Sequence, residues 1–240
     1  MSSRNRQQSI AVDRPGPSPT IAGKAARRRR EPDRRTSPEM RELSPMLKRI
    51  LEAAEQEFGD KGLDGAKILS IAQAAGTSKQ LVYHYFESKE RLYEITVREM
   101  THATFIKMLA VDIDDGDPIE SIRKFFLAYL DHLEQNPEFI VISVDQGLHH
   151  GAQLRMDPRL PETRRQVLQK LAAPLIAGQE LGLIKGSLDA HMAFFLITTV
   201  IVGSLSLRTV FAMHDGPVSE VSQESWRNLM SQFFLDAIRA

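Results

Sequence analysis

From about residue 44 onward, apolar residues recur at the spacing of one face of an α-helix. The first stripe consists of Leu47, Ile50, Leu51, Ala54 and Phe58. Steps of three and four residues are typical of an amphipathic helix that buries one side. Ser44 and Pro45 suit its first turn, and Gly59 and Gly62 suit its end. The sequence therefore predicts a helix that starts near residue 44 and ends around Gly59 and Gly62.

Similar stripes continue to the end of the chain. Asp117 and Asn136 each precede a proline, which is typical of the start of a helix. Further helices are predicted over roughly residues 159–181, with a bend near Pro174, and over roughly 188–213 and 219–238. No segment alternates apolar and polar residues with a period of two. We therefore predict an all-α fold of about nine helices.

The charged residues are distributed unevenly along the chain. The net charge of the 240 residues is zero, and there is no cysteine, which excludes disulfides and thiolate metal sites. Residues 1–38 nevertheless carry ten basic and three acidic side chains, whereas residues 39–240 have a net charge of −7. We interpret 1–38 as a disordered basic tail. Arg27 to Arg30 either bind phosphates or are simply solvated, and the sequence leaves both possibilities open.

A helix-turn-helix pattern lies between Lys67 and Phe86. Ile68, Ile71 and Ala72 form the apolar side of a short helix, and Ala75-Gly76-Thr77 forms a tight connection. The second helix is predicted to start at a cap provided by Thr77 or Ser78. Its expected apolar side consists of Leu81 or Val82, followed by Tyr85 and Phe86. Two short helices joined by a glycine turn are typical of a DNA-binding helix-turn-helix.

The other side of the second helix carries hydrogen-bonding groups and no carboxylate. We expect the DNA-binding residues to be Lys67, Ser78, Lys79, Gln80, Tyr83, His84 and Lys89. Lys79 and Gln80 near the helix start suit base edges, whereas Tyr83 and Lys89 suit phosphate oxygens. The next helix is expected to begin near Ser88 and to offer its amides to a phosphate. By spacing alone, an ordinary helical hairpin is the alternative.

Three longer runs in this region resemble the TetR/AcrR family of bacterial regulators. They are Ile50-Leu-Glu-Ala-Ala-Glu-Gln-Glu-Phe58, Ile71-Ala-Gln-Ala-Ala-Gly76 and Leu81-Val-Tyr-His-Tyr-Phe-Glu-Ser-Lys-Glu-Arg-Leu92. The resemblance implies a three-helix DNA-binding domain at residues 44–92 and a helical ligand-binding and dimerisation domain at residues 93–240. It implies a homodimer on double-stranded operator DNA, repression relieved by an unidentified small molecule, and the DNA-contacting roles given above. Ala66 and Lys67 depart from the Ser or Thr common near the second helix, so Lys67 is expected to make that phosphate contact.

The apolar run from Ala190 to Leu207 has two interpretations. It is long enough to span a membrane, yet polar residues interrupt it and Arg208 ends it. A helix shared by two subunits has the same composition, and we favour that interpretation. We therefore expect a cytoplasmic dimer and no membrane partner. Fractionation would separate the two possibilities.

The C-terminal half offers candidate ligand contacts but no catalytic motif. Phe125, Tyr129, Phe139 and Met156 are conceivable walls of a ligand pocket, although aromatic stripes at this spacing are more often core. The chain has no glycine-rich phosphate loop, no nucleophile elbow and no His-Glu metal motif. The adjacent His149 and His150 point in different directions on a helix and seldom share a metal. We therefore predict no enzyme activity, no metal and no cofactor.

Overall fold

The computed structural model describes residues 45–113, 116–151, 153–212 and 220–240. Within these ranges it contains nine α-helices and no strand, as the apolar pattern predicts. The helices are α1 (Pro45–Gly65), α2 (Ile68–Ala74), α3 (Lys79–Phe86), α4 (Lys89–Leu109), α5 (Pro118–Gln135), α6 (Pro137–Leu148), α7 (Leu160–Glu180), α8 (Ala190–Ala212) and α9 (Gln223–Ile238). The basic tail at residues 1–38 and the Ser44 cap lie outside the described residues.

Helix α1 buries the stripe that its sequence predicts. Ile50, Leu51, Ala54 and Phe58 are all buried. Of the two glycines predicted at its end, Gly59 continues the helix and Gly62 leaves helical geometry, at φ 66°. Glycine reaches this left-handed region without steric cost, so the break falls there.

Helix α4 connects the first three helices to the rest of the chain. It packs against α1 and against α7, and ten of its 21 residues are buried. Phe58 of α1 meets the ring of Tyr93 edge-on at 5.0 Å between ring centroids. The Tyr93 hydroxyl in turn donates a hydrogen bond to Asp145 of α6. Burial and this carboxylate raise the pKa of Tyr93, so the hydroxyl keeps its proton.

The C-terminal helices enclose an aromatic core. The rings of Tyr129 and Phe194 stack at 5.9 Å, and those of Phe126 and Phe234 stack at 5.4 Å. Phe125, Tyr129 and Phe139 are all buried, which agrees with the core alternative for these aromatic residues. Burial raises the pKa of Tyr129 to about 12. The side chain of Met156 lies outside the described part of the chain.

Helix α8 buries one face and exposes the other. Ala193, Ile197 and Ile201 are fully buried where α8 packs against α5, α6 and α7. The stretch Ala190–Arg208 has the length and hydropathy of a membrane span, and 17% of it is buried in the single chain. The outer face continues onto α9 as an exposed apolar stripe. Its members are Met192, Phe195, Leu207, Phe211, Leu229 and Phe233.

Candidate nucleic-acid interface

The turn between α2 and α3 depends on one glycine. Gly76 has φ 66°, and its amide donates to the carbonyl of Gln73 at 3.1 Å. The amide of Thr77 donates to the carbonyl of Ala72 at 2.8 Å, which completes the C-terminal cap of α2. Ile68, Ile71 and Ala72 are buried and hold α2 against the domain core, as the sequence predicts. The turn therefore sets the direction in which α3 leaves.

Ser78 begins α3. Its Oγ accepts a hydrogen bond from the amide of Leu81 at 3.2 Å, so Ser78 rather than Thr77 is the N-cap. Val82 and Phe86 are buried and anchor the helix. The cap fixes where α3 starts, and the two anchors fix its rotation about its own axis.

The opposite face of α3 points to solvent and is polar. Lys79, Gln80, Tyr83 and His84 are all exposed, as the sequence predicts for groups that contact a partner. Successive residues of a helix are about 100° apart, so Gln80 and His84 lie opposite the buried anchors. The ammonium of Lys79 lies 5.6 Å from the centre of the Tyr83 ring. This cation–π contact directs both side chains to the same edge of the helix.

Tyr85 is more exposed than the sequence pattern indicates. We expected it on the apolar side of α3 with Phe86, yet 36% of its surface is accessible. It flanks the outward face on the edge opposite Tyr83, and its ring contacts that of His84 at 5.6 Å. The physical reason is helical geometry, because Tyr85 lies about 100° from Phe86 around the axis and so reaches the edge of the buried side, not its centre. Tyr85 is therefore a further polar group on this surface.

Lys67 precedes α2 at the edge of this surface. Its amide donates to Glu57 at 2.9 Å, while its side chain is exposed. Glu57 also accepts from Lys61 at 2.7 Å. Hydrogen bonds from these partners lower the pKa of Glu57 despite its desolvation. Glu57 therefore anchors the start of α2 in an ionised state and leaves the Lys67 ammonium available to a partner.

Lys89 is held by main-chain carbonyls at the end of α1. Its Nζ donates to the oxygens of Asp64 at 3.2 Å and Ala66 at 3.3 Å. Lys89 is also only partly exposed, unlike the lysines before α2 and on α3. The side chain thus ties the start of α4 to the connection between α1 and α2. Ser88 caps α4 by accepting from the amide of Arg91 at 3.0 Å, close to the predicted helix start.

A groove of about 560 Å³ joins these elements. It is lined by Ala66, Lys67, Ile68, Leu69, Lys79, Tyr83, Glu87, Ser88, Lys89 and Glu90. Lys67 and Lys79 line the part next to α2 and the start of α3, whereas Glu87 and Glu90 lie between the end of α3 and the first turn of α4. A polyanion is therefore favoured at the α2–α3 side of the groove.

A second, larger cavity lies in the C-terminal part of the chain. It measures about 660 Å³ and lies between the end of α4, the start of α5 and the middle of α7. Lys170 and Asp112 are among its polar residues, and Ala173, Pro174 and Ala177 contribute apolar surface. The ammonium of Lys170 donates to the carbonyl of Leu109 at 2.5 Å. The volume of this cavity is within the range of cavities that hold small organic molecules.

Two family models match the chain. Residues 50–95 match the model of bacterial regulatory proteins of the tetR family, and residues 118–238 match a tetracyclin repressor-like C-terminal domain. The second match alone covers half of the chain. Both halves of the fold therefore have counterparts in one family.

Individual relatives and solved structures agree with these matches. The transcriptional repressor NicS of Pseudomonas putida is 30% identical over 152 residues, which are 63% of this chain and 71% of NicS. The repressor SCO4008 of Streptomyces coelicolor is 32% identical over 153 residues, covering 63% of this chain and 74% of that protein. The crystal structure of the transcriptional regulator SCO4942 from the same species superposes with a TM-score of 0.57 at 25% identity, covering 80% of this chain and 98% of that chain.

A short, polar-faced helix that a glycine turn sets on an all-helical body defines a helix-turn-helix DNA-binding protein. The chain belongs to the TetR family and is a transcriptional regulator, not an enzyme.

Proposed function

We propose that this protein is a repressor that binds a palindromic operator as a homodimer and dissociates when a small molecule binds. The observation that carries the proposal is the outward face of α3, where Lys79, Gln80, Tyr83 and His84 are exposed above two buried anchors. In a helix-turn-helix, residues near the start of the second helix contact base edges in the major groove. Relatives named as repressors, such as NicS, support the direction of regulation.

The predicted contact residues take different parts in this binding. Lys79 and Gln80 read bases, with lysine suited to guanine and glutamine to adenine. Tyr83, His84 and Lys67 contact phosphates and fix the register, and Ser78 adds a hydroxyl at the helix start. Lys89 can contact a DNA phosphate only if its ammonium leaves the main-chain carbonyls of Asp64 and Ala66. We therefore assign Lys89 mainly to holding α2 and α4 in place.

Dimerisation uses the exposed apolar stripe of α8 and α9. Its residues lie three positions apart at the start of α8 and four positions apart at the end of α8 and in α9, so each group lies on one face of its helix. Two copies of such a helix pair would form a four-helix interface and remove this surface from water. A homodimer also suits two-fold symmetric DNA, because each subunit then meets one half-site. Such a dimer functions in the cytoplasm, where chromosomal DNA lies.

The effector site is the cavity between α4, α5 and α7. Its walls include Ala110 and Val111, which directly follow α4, and α4 also packs against α1 of the proposed DNA-binding domain at residues 44–92. A ligand that moves the end of α4 would therefore also act on the other end of the same rigid helix. The cavity therefore supports ligand response as a role of the proposed domain at residues 93–240, which also contains the proposed dimerisation stripe.

Selection of bound duplexes from a random pool tests the proposal. We expect an inverted repeat whose half-site centres lie about one or two helical turns apart, bound by two chains. Affinity for the selected duplex should fall steeply with salt, because each phosphate contact releases counterions. Equal affinity for all duplexes, or no binding at low salt, would contradict operator recognition.

The cavity has its own test. Ala177→Trp fills it with an indole, far from α3 in the chain. We expect this variant to bind the selected duplex with wild-type affinity and to resist release by compounds that free the wild-type protein from it. Unchanged release by such a compound would place the effector elsewhere.

A further inference from the structure

Leu69 is an exposed apolar residue inside the charged groove. It is the second residue of α2, and 56% of its surface is accessible. Lys67, Lys79 and Tyr83 line the same groove. The buried Ile68 and Ile71 anchor α2 and fix its orientation. The Cα–Cβ bond of Leu69 therefore points outward whichever rotamer the side chain adopts.

Leucine restricts what this position can contact. Its side chain neither donates nor accepts a hydrogen bond, so it cannot bind a phosphate or the polar edge of a base. Along the major groove, the apolar group that a base pair presents is the C5 methyl of thymine. A DNA partner that covers Lys79 and Tyr83 also removes the adjacent Leu69 from water. Leu69 then needs an apolar partner on the DNA.

We propose that Leu69 reads sequence: it packs against the C5 methyl group of one thymine in each half-site, beside the base contacted by Lys79. The inference rests on the proposed operator binding and adds a specificity determinant that the polar face of α3 does not contain. It predicts a preference for a base rather than a general gain in affinity. If Leu69 contacted a deoxyribose instead, the affinity would not depend on the identity of the base.

Replacement of thymine by deoxyuridine tests the contact one methyl group at a time. Each thymine of a duplex selected with the wild-type protein is replaced in turn, and binding is measured by fluorescence anisotropy. One position per half-site should lose about fourfold in affinity, as expected for one methyl group, and about 15-fold when both half-sites are changed. Leu69→Ala should bind the thymine and deoxyuridine duplexes equally.

Two variants control for folding and for general apolar effects. Leu69→Met keeps an apolar side chain of similar reach and should retain the preference for thymine. Leu148→Ala removes a leucine of α6 that is 74% exposed and lies outside the groove, and it should also retain the preference. Circular dichroism verifies that each variant is folded.

The outcomes separate this inference from the proposed function. Specific binding in which no thymine-to-deoxyuridine change matters, or in which Leu69→Ala keeps the full methyl preference, overturns the assignment of Leu69 and leaves operator binding intact. Loss of affinity in Leu69→Ala without any methyl dependence indicates a sugar contact and also overturns it. Absence of specific binding by the wild-type protein contradicts the proposed function itself.

Discussion

At the scale of single residues, the candidate interface combines buried anchoring residues and exposed polar residues on one short helix. Val82 and Phe86 face inward and Gln80 and His84 face outward, because a helix turns about 100° per residue. This alternation is local, so the sequence predicts it well. Tyr85 and Lys89 are harder to predict, since their surroundings come from α3 packing and from the end of α1.

Lys79 provides the sharpest single-residue prediction on the interface. We expect Lys79→Ala to weaken binding to the selected duplex by about 1–3 kcal/mol per half-site and to relax preference at one base position. Competition between the selected duplex and duplexes changed at single positions measures both effects. Arg165→Ala on α7, which removes an exposed cation paired with Glu162, serves as the control and should leave affinity unchanged. A uniform loss on all sequences would assign Lys79 to a phosphate instead.

At the scale of helices, the contact between α1 and α6 is close because it contains a glycine. A Cβ at Gly59 would lie 2.6 Å from the Cβ of Glu138 and 3.0 Å from its Cα, so the backbone of α6 would have to shift. We expect Gly59→Ala to lower the free energy of unfolding by about 1–3 kcal/mol, measured by urea denaturation. The cause is overpacking, which alanine's better helix propensity does not offset.

Gly147 in α6 is the matched control for this substitution. A Cβ there meets nothing within 4 Å, so alanine adds helix propensity without a clash. Gly147→Ala is expected to raise the free energy of unfolding by about 0.5–1 kcal/mol. If both substitutions change stability in the same direction, the close approach of α1 and α6 is not the cause.

The same junction contains a carboxylate whose protonation depends on the fold. Burial raises the pKa of Glu55 to about 7, and the negative charges of Glu52, Glu138 and Glu99 add to the shift. In the unfolded chain, the pKa of Glu55 returns to about 4.5. Between these two values the folded protein holds a proton that the unfolded chain has lost. The contribution of Glu55 to stability therefore falls as pH rises from about 4.5 to about 7.

Glu55→Gln should remove this pH dependence. We expect the variant to gain stability over the wild-type protein as the pH is raised from about 5 to about 8, measured by urea denaturation at both values. Glu224→Gln, an exposed residue of α9, controls for the loss of one charge elsewhere. A constant difference between Glu55→Gln and the wild-type protein across this range would show that Glu55 ionises normally in the folded state.

At the scale of the whole molecule, the proposed dimer uses the stripe that α8 and α9 leave exposed. Phe233 is 60% exposed in the single chain and is one of the two stripe residues on α9. We expect Phe233→Glu to convert the dimer to a monomer in light scattering, because a buried, unpaired carboxylate is costly at an interface. Operator affinity should fall as well, since each half-site would then be bound separately.

Val141→Glu is the control for assembly. Val141 is an exposed apolar residue of α6 outside the stripe, so this change should leave the dimer intact. A Phe233→Glu protein that remains dimeric would locate the subunit contact on another surface. Preserved helicity in circular dichroism distinguishes loss of assembly from loss of folding.

The sequence by itself determined the all-helical class, the helix-turn-helix and the polar outward face of α3. Each of these follows from periodicity, capping residues and glycine placement, which act within a few neighbouring residues. Only the tertiary structure decided that Lys89 binds carbonyls at and just after the end of α1, that Glu55 is half-buried near other carboxylates and that Leu69 lines a charged groove. These features depend on how helices that are distant in the sequence pack together. The hydrophobic pattern of one helix does not show which residues of another helix will contact it.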